Sequence, residues 1–142
     1  MTIIVAQQNI TQTLTMNQAN LLALLTGFTI APAISNFINV FQKATISYRY
    51  GTTPFTNVNN ALSFKLVAGS NIVVSNSLNA TNILGLSQST SISFTPANPY
   101  TTLMSTSDNA ALGLFIDTAN IVGGDATSSC SITFTYSVFQ LA

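Results

Sequence analysis

The sequence predicts an all-β fold, a sandwich or barrel of short antiparallel strands. The main evidence is an alternation of apolar and polar residues from residue 44 onward, clearest in CSITFTYSVF at 130–139. Successive residues of a strand point to opposite faces, so this alternation indicates strands with one buried and one polar face. Turn-forming Gly, Pro, Asn and Asp residues separate the segments at short intervals, which is typical of sandwiches and barrels.

Six segments after residue 43 are predicted to be strands. Four of them alternate: ATISYRY at 44–50, ALSFKLV at 61–67, STSISFT at 89–95 and the closing segment at 130–139. NIVVS at 71–75 and ALGLFID at 111–117 lack clean alternation, and we interpret them as short strands. Because no repeat and no linker is visible, we expect a single domain over residues 1–142.

The first 43 residues give a weaker pattern. TIIV at 2–5, TLTM at 13–16, FTIAP at 28–32 and NFINVF at 36–41 are interpreted as strands. NQANLLALLTG predicts one short helix near residues 17–26, with Asn17 as the N-cap and Gly27 at the C-terminal cap. Its four leucines fit a buried helical stripe about as well as a turn followed by a strand, so both interpretations stay open.

Charged residues are scarce. They make up 4% of the chain, against about 25% in ordinary globular proteins. They are Lys43, Arg49, Lys65, Asp108, Asp117 and Asp125, and the formal net charge is +0. A neutral surface of hydroxyls and amides does not repel other copies and can pack against a neighbour without burying unpaired ions. We therefore favour a subunit of an assembly over the alternative, a charge-poor extracellular β domain.

The same composition argues against two classes of partner. Three scattered cations cannot form the basic patch that phosphates require, so we expect no nucleic acid partner. The apolar stretch Leu21–Leu25 is far shorter than the roughly 20 residues of a membrane-spanning helix. The N-terminus also lacks the basic region of a secretory signal, and we expect no membrane partner.

The chemistry that enzymes use is sparse, because the chain has no His and no Glu. A nucleophile would therefore lack the base that hydrolytic triads use. Asp117 and Asp125 flank a Gly-rich turn, and capping that turn is favoured over a carboxylate pair or a calcium site. Cys130 lies two residues before Ile132 and therefore on the same, apolar face of the strand. This predicts a buried thiol that acts as a small hydrophobe. We expect no enzyme activity, no catalytic residue, no metal site and no cofactor.

Tyrosines are the candidates for ligand recognition. Tyr48, Tyr50 and Tyr100 are possible glycan contacts, and Tyr136 belongs to the same class of residue. The favoured alternative places these residues in a core or an interface, with the hydroxyl at the wet end.

Several segments together resemble a known family. One segment reads Tyr50-Gly51-Thr52-Thr53-Pro54-Phe55-Thr56-Asn57, and a later turn reads Ala119-Asn120-Ile121-Val122-Gly123-Gly124-Asp125. With APAISNFINVF at 31–41 and a strand carrying Asn109, Leu112 and Leu114, they resemble small phage and prophage virion proteins. These motifs are turns and strands, so they bear on the fold more than on the role.

The resemblance implies a jelly-roll sandwich similar to tumour-necrosis-factor-like folds, commonly assembled as a homotrimer. In such trimers the closing strand tends to lie near the three-fold axis, which makes residues 131–139 and 111–117 candidates for the interface. The candidate interface residues are Leu112, Leu114, Thr133, Thr135, Tyr136 and Phe139. The N-terminal segment 1–16 is expected to be a strand or arm that contacts neighbours.

Three functional hypotheses follow. The first is a virion protein, a trimer that decorates or cements a capsid and has itself and other virion proteins, such as the major capsid protein, as partners. The second is a receptor- or glycan-binding module of a tail or fibre, and the third is a jelly-roll coat or filament subunit. All three place the protein in the virion, on the capsid surface or the tail.

Overall fold

A computed structural model describes residues 4–67, 71–97 and 110–141. Within these ranges the strands are β1 (Ile4–Met16), β2 (Phe28–Ala31), β3 (Phe37–Arg49), β4 (Phe55–Thr56), β5 (Ala61–Val67), β6 (Ile72–Val73), β7 (Leu78–Asn79), β8 (Thr90–Phe94), β9 (Ala111–Ile116), β10 (Val122–Gly123) and β11 (Ser129–Leu141). A short α-helix, α1, spans Gln18–Leu22, and a turn of 3-10 helix spans Ala80–Asn82. The predicted all-β antiparallel sandwich is confirmed.

Two antiparallel sheets form the sandwich. Sheet A has the strand order β1-β11-β3-β8, and sheet B has the order β2-β9-β5-β6, with β7 also paired to β5. A small two-stranded sheet joins β4 to β10. Apolar residues from the inner faces of both large sheets form one buried core.

The strands of the two large sheets pair in a nested order. β1 pairs with β11, β2 with β9, β3 with β8, and β5 with β6 and β7. Two further pairings, β11 with β3 and β9 with β5, complete the sheets. The chain is therefore arranged as one long hairpin whose paired halves have been rolled into two layers.

Phe64 connects the two layers at the centre of the core. Its side chain on β5 is 0% exposed. The ring stacks on Phe41 of β3 with centroids 4.9 Å apart, and it meets Phe94 of β8 in a T-shaped contact at 5.1 Å. Because Phe64 belongs to sheet B and its two neighbours belong to sheet A, this cluster fixes how the sheets face each other.

Two strands are longer than predicted. β1 is continuous over the segments expected as separate strands, since β11 pairs with it along its length. β3 likewise joins the two segments NFINVF and ATISYRY. The alternation changes phase between them because a β-bulge leaves Gln42 unpaired: Thr135 pairs with Lys43, and Tyr136 pairs with Phe41.

The predicted helix exists but is shorter than expected. Asn17 is its N-cap, as predicted, and forms a reciprocal capping box with Asn20. The helix ends at Leu22, and the C-cap is Ala23, so the prediction of Gly27 as the cap is wrong. Hydrogen-bonded turns follow the helix, and Gly27 leads into β2 with a φ of 94°. No helix in the described residues is long and apolar enough to cross a bilayer.

Candidate assembly interface

The outer surface of sheet A is an array of hydroxyl groups, here termed the hydroxyl face. Its members are Thr11, Thr13 and Thr15 of β1, Ser131, Thr133 and Thr135 of β11, Thr45 and Ser47 of β3, and Ser91 and Ser93 of β8. They alternate along each strand with the residues that face the core. The period of two that builds the core therefore also builds this face.

The register aligns these hydroxyls in rows across the sheet. Thr133 lies opposite Thr13 on one side and Thr45 on the other, and Thr45 lies opposite Ser93. Hydroxyl-to-hydroxyl hydrogen bonds join Thr11 to Thr135 (2.9 Å), Thr13 to Thr133 (3.0 Å), Ser47 to Ser91 (3.0 Å) and Thr45 to Ser93 (3.3 Å). Such cross-strand pairs stabilise the sheet. They also leave few polar groups without partners if a neighbour covers the face.

Two cations border the hydroxyl face. Lys43 and Arg49 are exposed on the same side of β3 as Thr45 and Ser47. The remaining cation, Lys65, belongs to sheet B, where its amine donates to the carboxylate of Asp117 at 2.6 Å and lies 5.6 Å from the ring of Phe115. Among the described residues, the hydroxyl face carries no acid. Its centre is neutral, and its charge is confined to two positions on one strand.

The predicted interface residues divide into two groups. Thr133 and Thr135 belong to the hydroxyl face, and Phe139 is half-buried further along β11. By contrast, Leu112, Leu114 and Tyr136 are only 0%, 1% and 5% exposed. Their side chains point into the core, which corrects their assignment to an interface.

Of the candidate glycan contacts, the structure argues against Tyr48. Tyr48 is 2% exposed, and burial raises the pKa of its hydroxyl, so a ligand cannot reach it. Tyr50 is half-buried, and its hydroxyl donates to the carbonyl of Thr52 at 2.8 Å. Tyr100 lies outside the described residues.

The two motifs that carry the family resemblance contact each other. Phe55 and Thr56 of the first motif pair with Gly123 and Val122 of the second, as β4 and β10. The side-chain amide of Asn57 donates to the carbonyl of Asn120 at 2.8 Å. The sequence did not reveal this contact, because the two motifs lie far apart along the chain.

Asp125 holds the loop of the first motif in place. Its Oδ2 atom accepts hydrogen bonds from the backbone N–H groups of Thr52 and Thr53, both at 2.7 Å, and its Oδ1 atom accepts one from Thr127 at 2.8 Å. The hydroxyls of Thr52 and Thr127 also donate to it. These donors, the Thr127 hydroxyl foremost, hold the pKa of Asp125 well below its usual range. The prediction was that Asp117 and Asp125 cap the Gly-rich turn. The structure differs, since Asp125 caps the neighbouring loop at Thr52 and Thr53 and the turn at Thr127, and Asp117 pairs with Lys65.

We expect the substitution Asp125→Asn to lower the melting temperature at neutral pH, because the amide presents N–H groups to backbone donors. The pH dependence should change as well. A lowered pKa in the folded state stabilises the protein fully above the ordinary value of 3.8, and this stabilisation is lost progressively as the pH falls from there toward the lower pKa of the folded state. Thermal melts from pH 7 to pH 2 should show the gap between wild type and variant narrowing below about pH 4. A constant gap would contradict this role.

Cys130 is a buried thiol in the core of the sandwich. Cys130 is 1% exposed and free, as predicted, and burial raises the pKa of its thiol to about 12. It lines a small apolar cavity with residues of both sheets, including Met16 and Leu114. In the part of the chain that the structure describes, no three His, Cys, Asp or Glu residues come together as metal ligands.

Comparison with known proteins gives weak similarities. No family model matches the chain, and no curated protein matches it. A chain of the cyanophage Pam1 capsid asymmetric unit is 11% identical over 94% of this chain and 84% of its own, with a TM-score of 0.44. A chain of the acid-stable capsid of Helicobacter pylori bacteriophage KHP30 is 11% identical over 96% and 97%, with a TM-score of 0.35. Because both TM-scores are below 0.5, we draw no functional inference from these similarities.

Proposed function

We propose that the protein is a structural subunit of a phage virion, a trimeric decoration or cement protein on the capsid surface. The hydroxyl face is the observation that carries this proposal. It is neutral at its centre, and its hydroxyls are bonded to each other across neighbouring strands. A surface of this kind can be covered by protein at a small desolvation cost.

The fold and the motifs support the proposal. The nested pairing of strands is what a jelly roll requires, since a jelly roll is a long antiparallel hairpin rolled into two sheets. The segments that resemble small phage virion proteins also form one structural unit, in which Asp125 of one motif binds Thr52 and Thr53 of the other. Motifs that meet in the fold make a stronger resemblance than separate turns.

The proposed mechanism is physical and involves no catalysis. Rigid sandwiches bridge neighbouring capsid subunits and resist internal pressure through many weak contacts. An obligate interface typically buries about 2,000 Å² or more, and the four strands of sheet A present a broad face for it. Lys43 and Arg49 lie at the sides of that face, where they can pair with acids of the major capsid protein.

A single added charge tests this role. We expect Thr133→Arg to weaken both trimer formation and capsid binding about a hundredfold, because it buries an unpaired cation close to Lys43. Gln88→Arg is the matched control, since Gln88 is an exposed residue of a loop outside sheet A. The measurements are sedimentation velocity, and the heat or force needed to rupture capsids with and without added protein.

The outcomes separate the hypotheses. A decoration protein binds in a fixed ratio to the major capsid protein and makes capsids harder to rupture. If Thr133→Arg binds like wild type, the hydroxyl face is not the interface. If the protein is the most abundant one in purified particles, it is the coat subunit instead.

A further inference from the structure

Strand β1 is a long sheet edge. It spans 13 residues, and β11 pairs with one of its sides along nearly its whole length. Within the residues that the structure describes, no strand pairs with its other side. Half of the backbone N–H and C=O groups of this strand therefore point outward in the plane of the sheet, ready to pair with another strand.

The other edges of the sandwich lack this property. β8, the opposite edge of sheet A, has 5 residues. In sheet B, β2 has 4 residues and a bulge, and β6 and β7 have 2 residues each. Short and bulged edges are devices by which proteins prevent unwanted strand pairing.

β1 differs from these edges over most of its length. Its pairing with β11 is irregular between Ile4 and Ala6 and regular from there to Met16. The strand also contains no charge and no proline, which are the other common means of blocking an edge. The regular part of β1 is therefore open to a partner strand in the described structure.

The residues of β1 suggest which strand it binds. On the core-facing side, Ile10 and Leu14 are half-buried and pack against the edge of the core. Gln12 lies between them on the same side and is exposed. Two apolar residues placed symmetrically around an exposed amide form a self-complementary pattern.

We infer that two copies of the chain pair through β1, antiparallel, around a two-fold axis at Gln12. This register sets Ile10 opposite Leu14 of the second copy and Thr11 opposite Thr13. Apolar residues therefore meet apolar residues on the core-facing side, and hydroxyls meet hydroxyls on the other side. An axis at Thr11 or at Thr13 would set Leu14 opposite a glutamine. No like charges meet in the proposed register, because β1 has none. The hydroxyl face would continue unbroken from one copy into the other.

This inference does not depend on the proposed function. It concerns the edge of sheet A, whereas the decoration role concerns the outer face of that sheet. A two-fold contact produces even-numbered species, namely dimers, or pairs of trimers where trimers form. Thr133→Arg disturbs the face, and substitutions of Gln12 disturb the edge, so failure of one idea is distinguishable from failure of the other.

Charge substitution at the axis tests the inference. Gln12→Lys and Gln12→Glu each place like charges opposite each other, and we expect either to weaken the two-fold association roughly fivefold or more. An equimolar mixture of the two variants should restore it, since the new lysine of one copy then faces the new glutamate of the other. Sedimentation velocity over a range of concentrations measures the association, and circular dichroism checks the fold. Gln88→Lys and Gln88→Glu are the controls, and we expect wild-type behaviour from them alone and mixed.

Rescue by mixing, seen together with even-numbered species, is the decisive result, because in the proposed register Gln12 of one copy faces Gln12 of the other. Wild-type protein without even-numbered species at any concentration would overturn the inference. Association that ignores both Gln12 substitutions, or a mixture that remains dissociated, would overturn it as well. If the wild-type protein forms no even-numbered species, the free edge of β1 is a site for a strand of a different protein.

Discussion

Replacement of Phe64 by alanine is expected to lower the free energy of unfolding by about 3–5 kcal/mol. The ring is fully buried and contacts Phe41 and Phe94 of the facing sheet, so its loss leaves a cavity between the layers. Single domains are stable by only about 5–15 kcal/mol. The variant should therefore unfold at a much lower urea concentration, or fail to accumulate in folded form.

A comparison with Phe64→Leu keeps this prediction interpretable. Leucine fills part of the cavity, so its loss of stability should be clearly smaller than that of alanine. Val122→Ala serves as a surface control, because Val122 is 52% exposed and should change stability by less than about 0.5 kcal/mol. Equal effects of the three substitutions in urea titrations would contradict the central position of Phe64.

Gly124→Ala is the second substitution with a large expected effect. Gly124 has a φ of 66°, and a Cβ atom there would press into the ring of Phe55. That ring is 2% exposed and packs beside Tyr48, so it cannot move aside freely. Backbone strain of about 1–2 kcal/mol and overpacking of about 1–3 kcal/mol act together. We expect a loss of about 2–5 kcal/mol, measured by urea denaturation.

The neighbouring glycine provides a matched control. Gly123 also has a positive φ, of 82°, but a Cβ atom there would meet nothing closer than 3.6 Å. Gly123→Ala should therefore carry the backbone strain alone, about 1–2 kcal/mol. If the two variants are equally stable, the Phe55 ring does not constrain this turn.

The sequence was sufficient to predict the strands whose alternation is regular. The segment at 130–139 lies within β11, and ALSFKLV is β5. It was insufficient wherever alternation changes phase or is too short to detect. The bulge at Gln42 interrupts the alternation, so β3 was predicted as two strands, and the two-residue strands β4, β7 and β10 lie outside the segments predicted as strands. These features depend on partners that are distant along the chain.

The candidate interface was predictable only in part. Thr133 and Thr135 could be placed on the polar side of the closing strand from alternation alone. The alternating threonines of residues 11–15 could have placed Thr11 and Thr15 on the hydroxyl face as well. Only the last part of that segment was interpreted as a strand. Leu112 and Tyr136 were misplaced because the resemblance pointed to strands, whereas burial depends on which side of a strand each residue occupies.

The nested strand pairing also determines the order in which the fold can be completed. Thr11 bonds to Thr135, so β1 receives its partner β11 only after all the other described strands have been made. Pairing across such a sequence separation is slow. During that interval β1 is an unpaired, uncharged strand in every copy under synthesis. Control of this stage, by chaperones or by rapid closure with β11, would then decide how much of the protein reaches an assembly and how much aggregates.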